Sequence, residues 1–187
     1  EEALVHYNIP YKIVGGVRFY DRKEIKDIMA YLRLIYQPED IVSFERIANV
    51  PTRGLGAVSL QKFLDWRASK GLSQLTALEF VNECEGLTTK AQQALNNLAD
   101  IILSYRTQLD ELSVTALIDS LIRRLDYLNY LEDGTPQGTA RQENVKELLS
   151  VANEYHDLGL AGFLEEVSLV SDIDSANFDN DTVTLMT

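Results

Sequence analysis

The chain has 187 residues, of which 45% are hydrophobic and 25% charged, a mixture typical of a globular domain. Its 17 Lys and Arg against 29 Asp and Glu give a net charge of −12, which excludes a protein that coats nucleic acid through overall positive charge. No apolar run approaches the roughly 20 residues that cross a bilayer, and the acidic start is unlike a signal peptide, so the sequence predicts a soluble, cytoplasmic protein.

The charge is unevenly distributed along the chain. Residues 1–70 contain eleven Lys and Arg against nine Asp and Glu, whereas the remaining residues contain six against twenty. This asymmetry is typical of a chain with one end that faces a polyanion and one solvated acidic end, and a chance distribution of surface charge is the open alternative.

Nearly every segment after residue 20 has helical periodicity. A capping box formed by Asp21 and Glu24 predicts a helix that ends before Pro38. A second helix is predicted over 39–49, and a third ends at Gly71, which is placed as a C-terminal cap. Further amphipathic segments cover residues 75–84, 91–109, 114–130, 145–155 and 163–170. The predicted fold class is therefore mainly α, with about eight helices.

Two short apolar segments near the ends are predicted to be extended. They are Tyr11–Val14 and residues 182–186, each suited to a buried strand. An isolated strand leaves its backbone groups unpaired, so the pattern indicates a helical insertion between two strands of a larger α/β domain. A helix over residues 1–6 that has no start signal also favours an excised fragment. The predicted divisions are a flank over 1–20, a helical subdomain over 21–175, and an acidic linker with a final strand over 176–187.

Two loops stand out between the predicted elements. Residues 132–139 are rich in turn-forming types and are predicted to connect two long helices. Residues 172–181 are predicted to form a flexible acidic linker. Asp172 and Asp174 have the opening spacing of a calcium loop, but the residues after them lack the next oxygen ligand and the glycine that such a loop needs, so a solvated linker is favoured.

The sequence contains no motif for catalysis or nucleotide binding. Neither GxxxxGK[ST] nor GxGxxG occurs in it. The sequence has no Ser or Cys in a nucleophile-elbow motif that could act with either histidine. The two histidines are far apart in the sequence and have no cysteine partners, which excludes a zinc site of standard spacing. Cys84 lies between acidic residues that would raise its thiol pKa. We therefore predict no catalytic residue and no metal site.

The segment Gly54-Leu55-Gly56 joins two predicted helices across a very short turn. Two glycines around one apolar residue permit Leu55 to point inward while bare backbone faces outward, and the unpaired N–H groups of the turn and the next helix can then hold a phosphate. Arg53 and Lys62 would add positive charge on the same side. Such a turn binds the backbone of a duplex without reading its sequence, and a simple glycine turn is the alternative.

Several runs of sequence also carry a family resemblance. They are IPYKIVGGVRFYDRKEIKD (9–27), AYLR (30–33), FERI (44–47), NVPTRGLG (49–56), RQEN (141–144), ELL (147–149), FLEEVSLVSD (163–172) and VTLMT (183–187). These runs resemble a DNA helicase of superfamily 1, of the UvrD, PcrA and Rep type, and together they span nearly the whole chain.

The resemblance implies the 2B subdomain, a helical insertion in the second RecA-like motor domain (2A), with short 2A flanks at both ends. The parent is then an ATP-dependent 3′ to 5′ DNA helicase that serves repair and replication. Its ATP and Mg²⁺ sites lie elsewhere in the parent, so this chain is expected to hold no cofactor and to lack ATPase activity. The implied partners are duplex and single-stranded DNA, the other helicase domains and regulatory proteins, with no membrane.

The resemblance also implies which residues bind DNA. The turn that would contact the duplex ahead of the fork consists of Thr52, Arg53, Gly54, Leu55 and Gly56, with Leu55 where the family usually has Ile. A second set in the 2A flank would lie near the single-strand track and consists of Gly15, Gly16, Arg18, Phe19, Tyr20 and Arg22. For Phe19 and Tyr20, packing between the first helix and the motor domain is an open alternative.

Two classes of function remain open from the sequence. In the first, the helical body is a duplex-binding regulatory subdomain, and its acidic remainder repels DNA everywhere except at the turn. In the second, the acidic face between Glu79 and Asp181 docks a basic protein partner or the parent's own motor domains.

Overall fold

The computed structural model of the chain describes residues 11–14, 18–175 and 183–186. These ranges contain nine α-helices, two short 3₁₀ helices (Phe19–Asp21 and Val81–Glu83) and two strands, so the predicted mainly helical class is confirmed. None of the helices in these ranges has the length and apolar character needed to span a bilayer. The α-helices are α1 (Lys23–Tyr36), α2 (Ile41–Ile47), α3 (Ala57–Lys70), α4 (Gln74–Glu79), α5 (Thr89–Arg106), α6 (Val114–Arg124), α7 (Tyr127–Leu131), α8 (Pro136–Glu154) and α9 (Gly159–Ser175).

The two predicted strands pair with each other. β1 (Tyr11–Val14) lies parallel to β2 (Val183–Met186), with Tyr11 opposite Val183 at the first register position. Parallel strands need a crossover connection, and here the helices between them form it. This agrees with the predicted helical insertion between two strands. Gly15 and Gly16, the predicted helix over 1–6 and residues 176–181 of the predicted linker lie outside the described residues.

Helix α1 lies at the centre of the helical body. Ile25, Ile28, Leu32 and Ile35 have no exposed surface, and Tyr31 is equally buried. Its neighbours are α2, α5, α6, α8 and α9. A helix that is apolar on most sides is stable only when other helices cover it, and full burial of each Ile or Leu contributes about 1.5–3 kcal/mol.

The start of α1 differs from the prediction. Asp21 ends a one-turn 3₁₀ helix, and Arg22 is the N-cap residue without a side-chain cap bond, so the predicted capping box is wrong. The Glu24 carboxylate is 5% exposed and accepts a hydrogen bond from Asn144 Nδ2 at 2.6 Å. Asp21 instead pairs with Lys26 at 2.6 Å. A contact with α8 therefore occupies the side chain that the capping box required.

Residues in the left-handed conformation end two of the helices. Gly71 has φ 62° and caps α3 as predicted, with its N–H donating to the carbonyl of Ala68. Asp126 has φ 49° and divides the predicted single helix over 114–130 into α6 and α7. Its carboxylate accepts a hydrogen bond from Asn129 Nδ2 at 2.8 Å, a local contact that helps aspartate to adopt this conformation.

Two predicted loops are shorter than expected. The connector over 132–139 ends at Thr135, whose hydroxyl caps α8 by accepting a hydrogen bond from the backbone N–H of Gly138 at 3.1 Å. The predicted linker over 172–181 begins late because α9 continues to Ser175.

Candidate nucleic-acid interface

The predicted duplex-binding turn connects α2 to α3. Leu55 is 2% exposed and belongs to the core, whereas Gly54 and Gly56 on either side are exposed. Gly54 has φ 76°, a conformation that favours glycine. The predicted geometry, with the leucine inward and bare backbone outward, is therefore present. Contact of this turn with DNA stays a prediction.

One side chain holds the backbone of the turn. Asn49 Oδ1 accepts hydrogen bonds from the N–H of Arg53 at 2.8 Å and of Leu55 at 3.1 Å. These two N–H groups, which the sequence predicted to be unpaired, are thus not available to a phosphate. The donors that remain are in the first turn of α3, where Gly56 is the N-cap residue and no side chain caps the helix.

The Arg53 side chain bonds to the protein itself. Its Nη1 donates to the carbonyls of Ile47 at 3.0 Å, Val50 at 2.9 Å and Pro51 at 3.2 Å, and its Nη2 donates to the Tyr31 hydroxyl. Burial raises the pKa of Tyr31 to about 12, with Arg53 opposing this shift, so the hydroxyl is protonated at neutral pH and donates to Val50. Arg53 therefore ties the turn to α1, and direct contact of its guanidinium with a phosphate stays a prediction.

Two lysines lie near the turn from different elements. Lys62 Nζ on α3 donates to the carbonyl of Gly86 at 3.1 Å. Lys90, in the first turn of α5, crosses Gly54 so closely that a Cβ on that glycine would overlap its side chain. Lys90 has no ion pair or hydrogen bond within the described ranges. No local sequence signal indicates Lys90, because it lies 36 residues beyond Gly54 in the acidic part of the chain.

The second predicted set of DNA-binding residues surrounds the start of α1. Phe19 is 7% exposed, and its ring packs edge-on against Tyr20 with 5.1 Å between the ring centroids. The Arg22 guanidinium lies over the Phe19 ring and donates to Asn144 Oδ1 at 2.7 Å. Phe19 therefore packs within the helical body, and both the DNA contact and the packing against the motor domain stay predictions. Arg18 is partly exposed at the N-cap of the 3₁₀ helix.

A groove of about 380 Å³ lies beside the turn. It separates the turn from α5 and the end of α6, so part of the acidic half of the sequence adjoins the predicted site. Thr52 and Arg124 both line it and are both exposed. The polar lining consists of Thr52, Arg53, Asn97, Asp100 and Arg124.

The fold is a helical body inserted between two parallel strands, and its motifs are those of a helicase C-terminal region. The chain belongs to the UvrD-like helicase C-terminal domain family, whose model matches residues 1–187. It is 39% identical to the ATP-dependent DNA helicase PcrA of Bacillus subtilis, 38% identical to that of Leuconostoc citreum and 37% identical to that of Staphylococcus aureus. Each match covers the whole chain but only 27%, 26% and 26% of the relative, so the chain spans about a quarter of their length.

Proposed function

We propose that the chain is the 2B subdomain, with short 2A flanks, of an ATP-dependent 3′ to 5′ DNA helicase, and that it contacts duplex DNA through the turn between Thr52 and Gly56. The observation that carries this proposal is the open backbone at Gly56. A Cβ built there would meet no atom of the described residues within 4 Å, and Gly56, the N-cap residue of the helix that follows, has no side chain to cap it. A phosphate can therefore approach the unpaired N–H groups of α3 directly.

The charge distribution limits where DNA can bind. The chain carries a net charge of −12, so most of its surface repels a polyanion. Lys90 places positive charge beside Gly54, and the N-terminus of α3 adds the positive end of a helix dipole. This combination supports a contact that is confined to one edge and that does not read sequence.

A valine at Gly56 tests the proposed contact. We expect Gly56→Val to lower the affinity of the chain for duplex DNA about tenfold, because one hydrogen bond to a charged group contributes about 1.5–3 kcal/mol and the new side chain blocks the approach. Fluorescence anisotropy with a labelled forked duplex measures the effect. The valine has room in the fold, so circular dichroism should show unchanged helix content.

Ala68→Val is the matched control for this experiment. It adds the same side chain at an exposed position near the opposite end of α3, and we expect wild-type affinity. Equal affinities of the wild type and the Gly56→Val variant would contradict the proposed turn contact.

We also expect the chain alone to bind and hydrolyse no ATP, with or without single-stranded DNA. The reason is that its sequence encodes no phosphate-binding loop of either common type. A coupled ATPase assay and calorimetry measure hydrolysis and binding. A stoichiometric binding isotherm would show that the chain contains a nucleotide site of another kind.

The alternative function, docking of a protein partner, has one observation in its favour. Leu158 is 47% exposed just before α9 and Leu169 is 51% exposed on it, among acidic neighbours. A partner with apolar and basic side chains would suit such a surface. If docking is the sole role, both Gly56→Val and the wild type will fail to bind duplex DNA.

A further inference from the structure

We propose that the groove beside the turn is a second phosphate-binding position for the same duplex, with Arg124 as its cation and Asn97 and Thr52 as neutral donors. This inference rests on the proposed function and extends it to α5 and α6. The sequence placed both helices on the acidic side of the molecule, away from DNA. The groove brings the end of α6 next to the turn instead.

Arg124 differs from the arginine beside it. Arg123 pairs with Asp119 at 2.6 Å, one helical turn earlier on α6. Arg124 lines the groove, is exposed, and has no ion pair or hydrogen bond in the described part of the chain. Successive residues on a helix point about 100° apart. Arg123 is therefore neutralised by Asp119, whereas the guanidinium of Arg124 is available to an anion.

The donors around Arg124 suit a phosphodiester. Thr52 and Asn97 carry a hydroxyl and an amide on the groove walls, and neither side chain is bonded within the described ranges. Such groups commonly contact phosphate oxygens alongside Arg and Lys. Arg53 also lines the groove, but its N–H groups are directed to protein acceptors, which leaves Arg124 as the cation for a ligand.

Helix α5 carries residues of the groove and also Lys90, which lies against Gly54 in the turn. Lys90 crosses Gly54 near the start of α5, and Asn97 lies seven residues later on nearly the same helix face, about 10 Å along the axis. A duplex that contacts the turn would therefore meet positive charge at two points, Lys90 beside Gly54 and Arg124 in the groove. This arrangement favours two neighbouring phosphate positions of one ligand over an isolated anion site.

Asp100 is the groove residue that opposes phosphate. Its carboxylate is exposed and forms no ion pair with Arg124 in the described residues. It therefore repels an incoming phosphate, and the proposal predicts a gain of affinity when this charge is removed. A gain cannot result from an unfolded variant.

The test measures binding of a labelled duplex to the full chain at several salt concentrations. We expect Arg124→Ala to weaken binding about threefold to tenfold and to lower the slope of log affinity against log salt by about 0.9, the value for one phosphate contact. Arg124→Lys should keep the slope, and Asp100→Asn should strengthen binding about threefold at low salt. Arg123→Ala is the matched control and should equal the wild type.

The outcomes separate this inference from the proposed function. If the wild type binds no duplex, both are overturned. If Gly56→Val weakens binding while Arg124→Ala and Asp100→Asn both equal the wild type, only the groove assignment is overturned. Inorganic phosphate that displaces the duplex far more effectively than chloride at equal ionic strength would identify a free-phosphate site, and this too would overturn the assignment to DNA.

Discussion

Replacing Asp27 by alanine should lower the free energy of unfolding by about 3 kcal/mol. Asp27 is 2% exposed, and its Oδ1 accepts a hydrogen bond from Arg46 Nε at 2.8 Å while its Oδ2 accepts one from the Tyr127 hydroxyl at 3.0 Å. Loss of one partner of a buried ion pair costs about 3–5 kcal/mol. Because the Arg46 side chain keeps 34% of its surface in solvent, we expect the lower end of that range.

Tyr127 is the second side chain that loses a partner in this variant. This side chain has no exposed surface, and burial together with the Asp27 charge raises the pKa of Tyr127, so its hydroxyl stays protonated and needs an acceptor. Without Asp27, the remaining acceptor for this hydroxyl among the described residues is the Glu24 carbonyl, at the longer distance of 3.4 Å. An unsatisfied buried donor costs about 1–3 kcal/mol.

Urea unfolding of the wild type and four variants measures this network. Asp27→Ala, Tyr127→Phe and the double variant form a cycle, and we expect the double variant to lose less stability than the two single losses combined, because the shared hydrogen bond is removed only once. Asp27→Asn keeps the shape and an acceptor, so it should cost less than Asp27→Ala. A loss below about 1 kcal/mol for Asp27→Ala would mean that solvent replaces the network at little cost.

The fold was predictable to the extent that its signals are local. Amphipathic periodicity located the helical segments, and Gly71 was correctly predicted as a cap because a left-handed glycine follows a regular helix. The Asp21 and Glu24 capping box failed because Glu24 bonds to Asn144, 120 residues away. The left-handed Asp126 was missed because aspartate adopts this conformation only occasionally, so periodicity alone extends the helix through it.

The candidate site was predictable only in its backbone. The spacing of Gly54, Leu55 and Gly56 correctly indicated which residue points inward. Charge summed along the chain assigned Lys90 and Arg124 to an acidic half. Packing of α5 brings Lys90 to the turn, and packing of α6 brings Arg124 to the adjoining groove. Proximity of this kind depends on tertiary contacts, which neither composition nor local motifs encode.

The position of the Arg53 side chain is explained by the backbone carbonyls to which it donates. The last carbonyls of an α-helix have no intrahelical donor, and α2 ends at Ile47 just before the irregular segment through Pro51. The Arg53 Nη1 donates to the Ile47 carbonyl at the end of this helix and to the carbonyls of Val50 and Pro51 in the irregular segment after it. The arginine that follows α2 is therefore explained by the carbonyls it caps.

Arg53→Ala should lower the free energy of unfolding by about 2–3 kcal/mol, since it removes charge-assisted hydrogen bonds to Ile47, Pro51 and the buried Tyr31 hydroxyl. Arg53→Lys should recover only a small part of this loss, because an ammonium group cannot present the planar fork that reaches several acceptors. Urea unfolding of both variants measures the difference.

The same substitution distinguishes a support role from a phosphate contact. We expect Arg53→Ala to weaken duplex binding because the turn is no longer tied to α1, while the slope of log affinity against log salt stays at the wild-type value. Arg124→Ala is the matched comparison, since it should lower the slope by about 0.9 with little change in unfolding. If Arg53→Ala lowers the slope equally and leaves stability unchanged, Arg53 binds phosphate directly and the carbonyl contacts are dispensable.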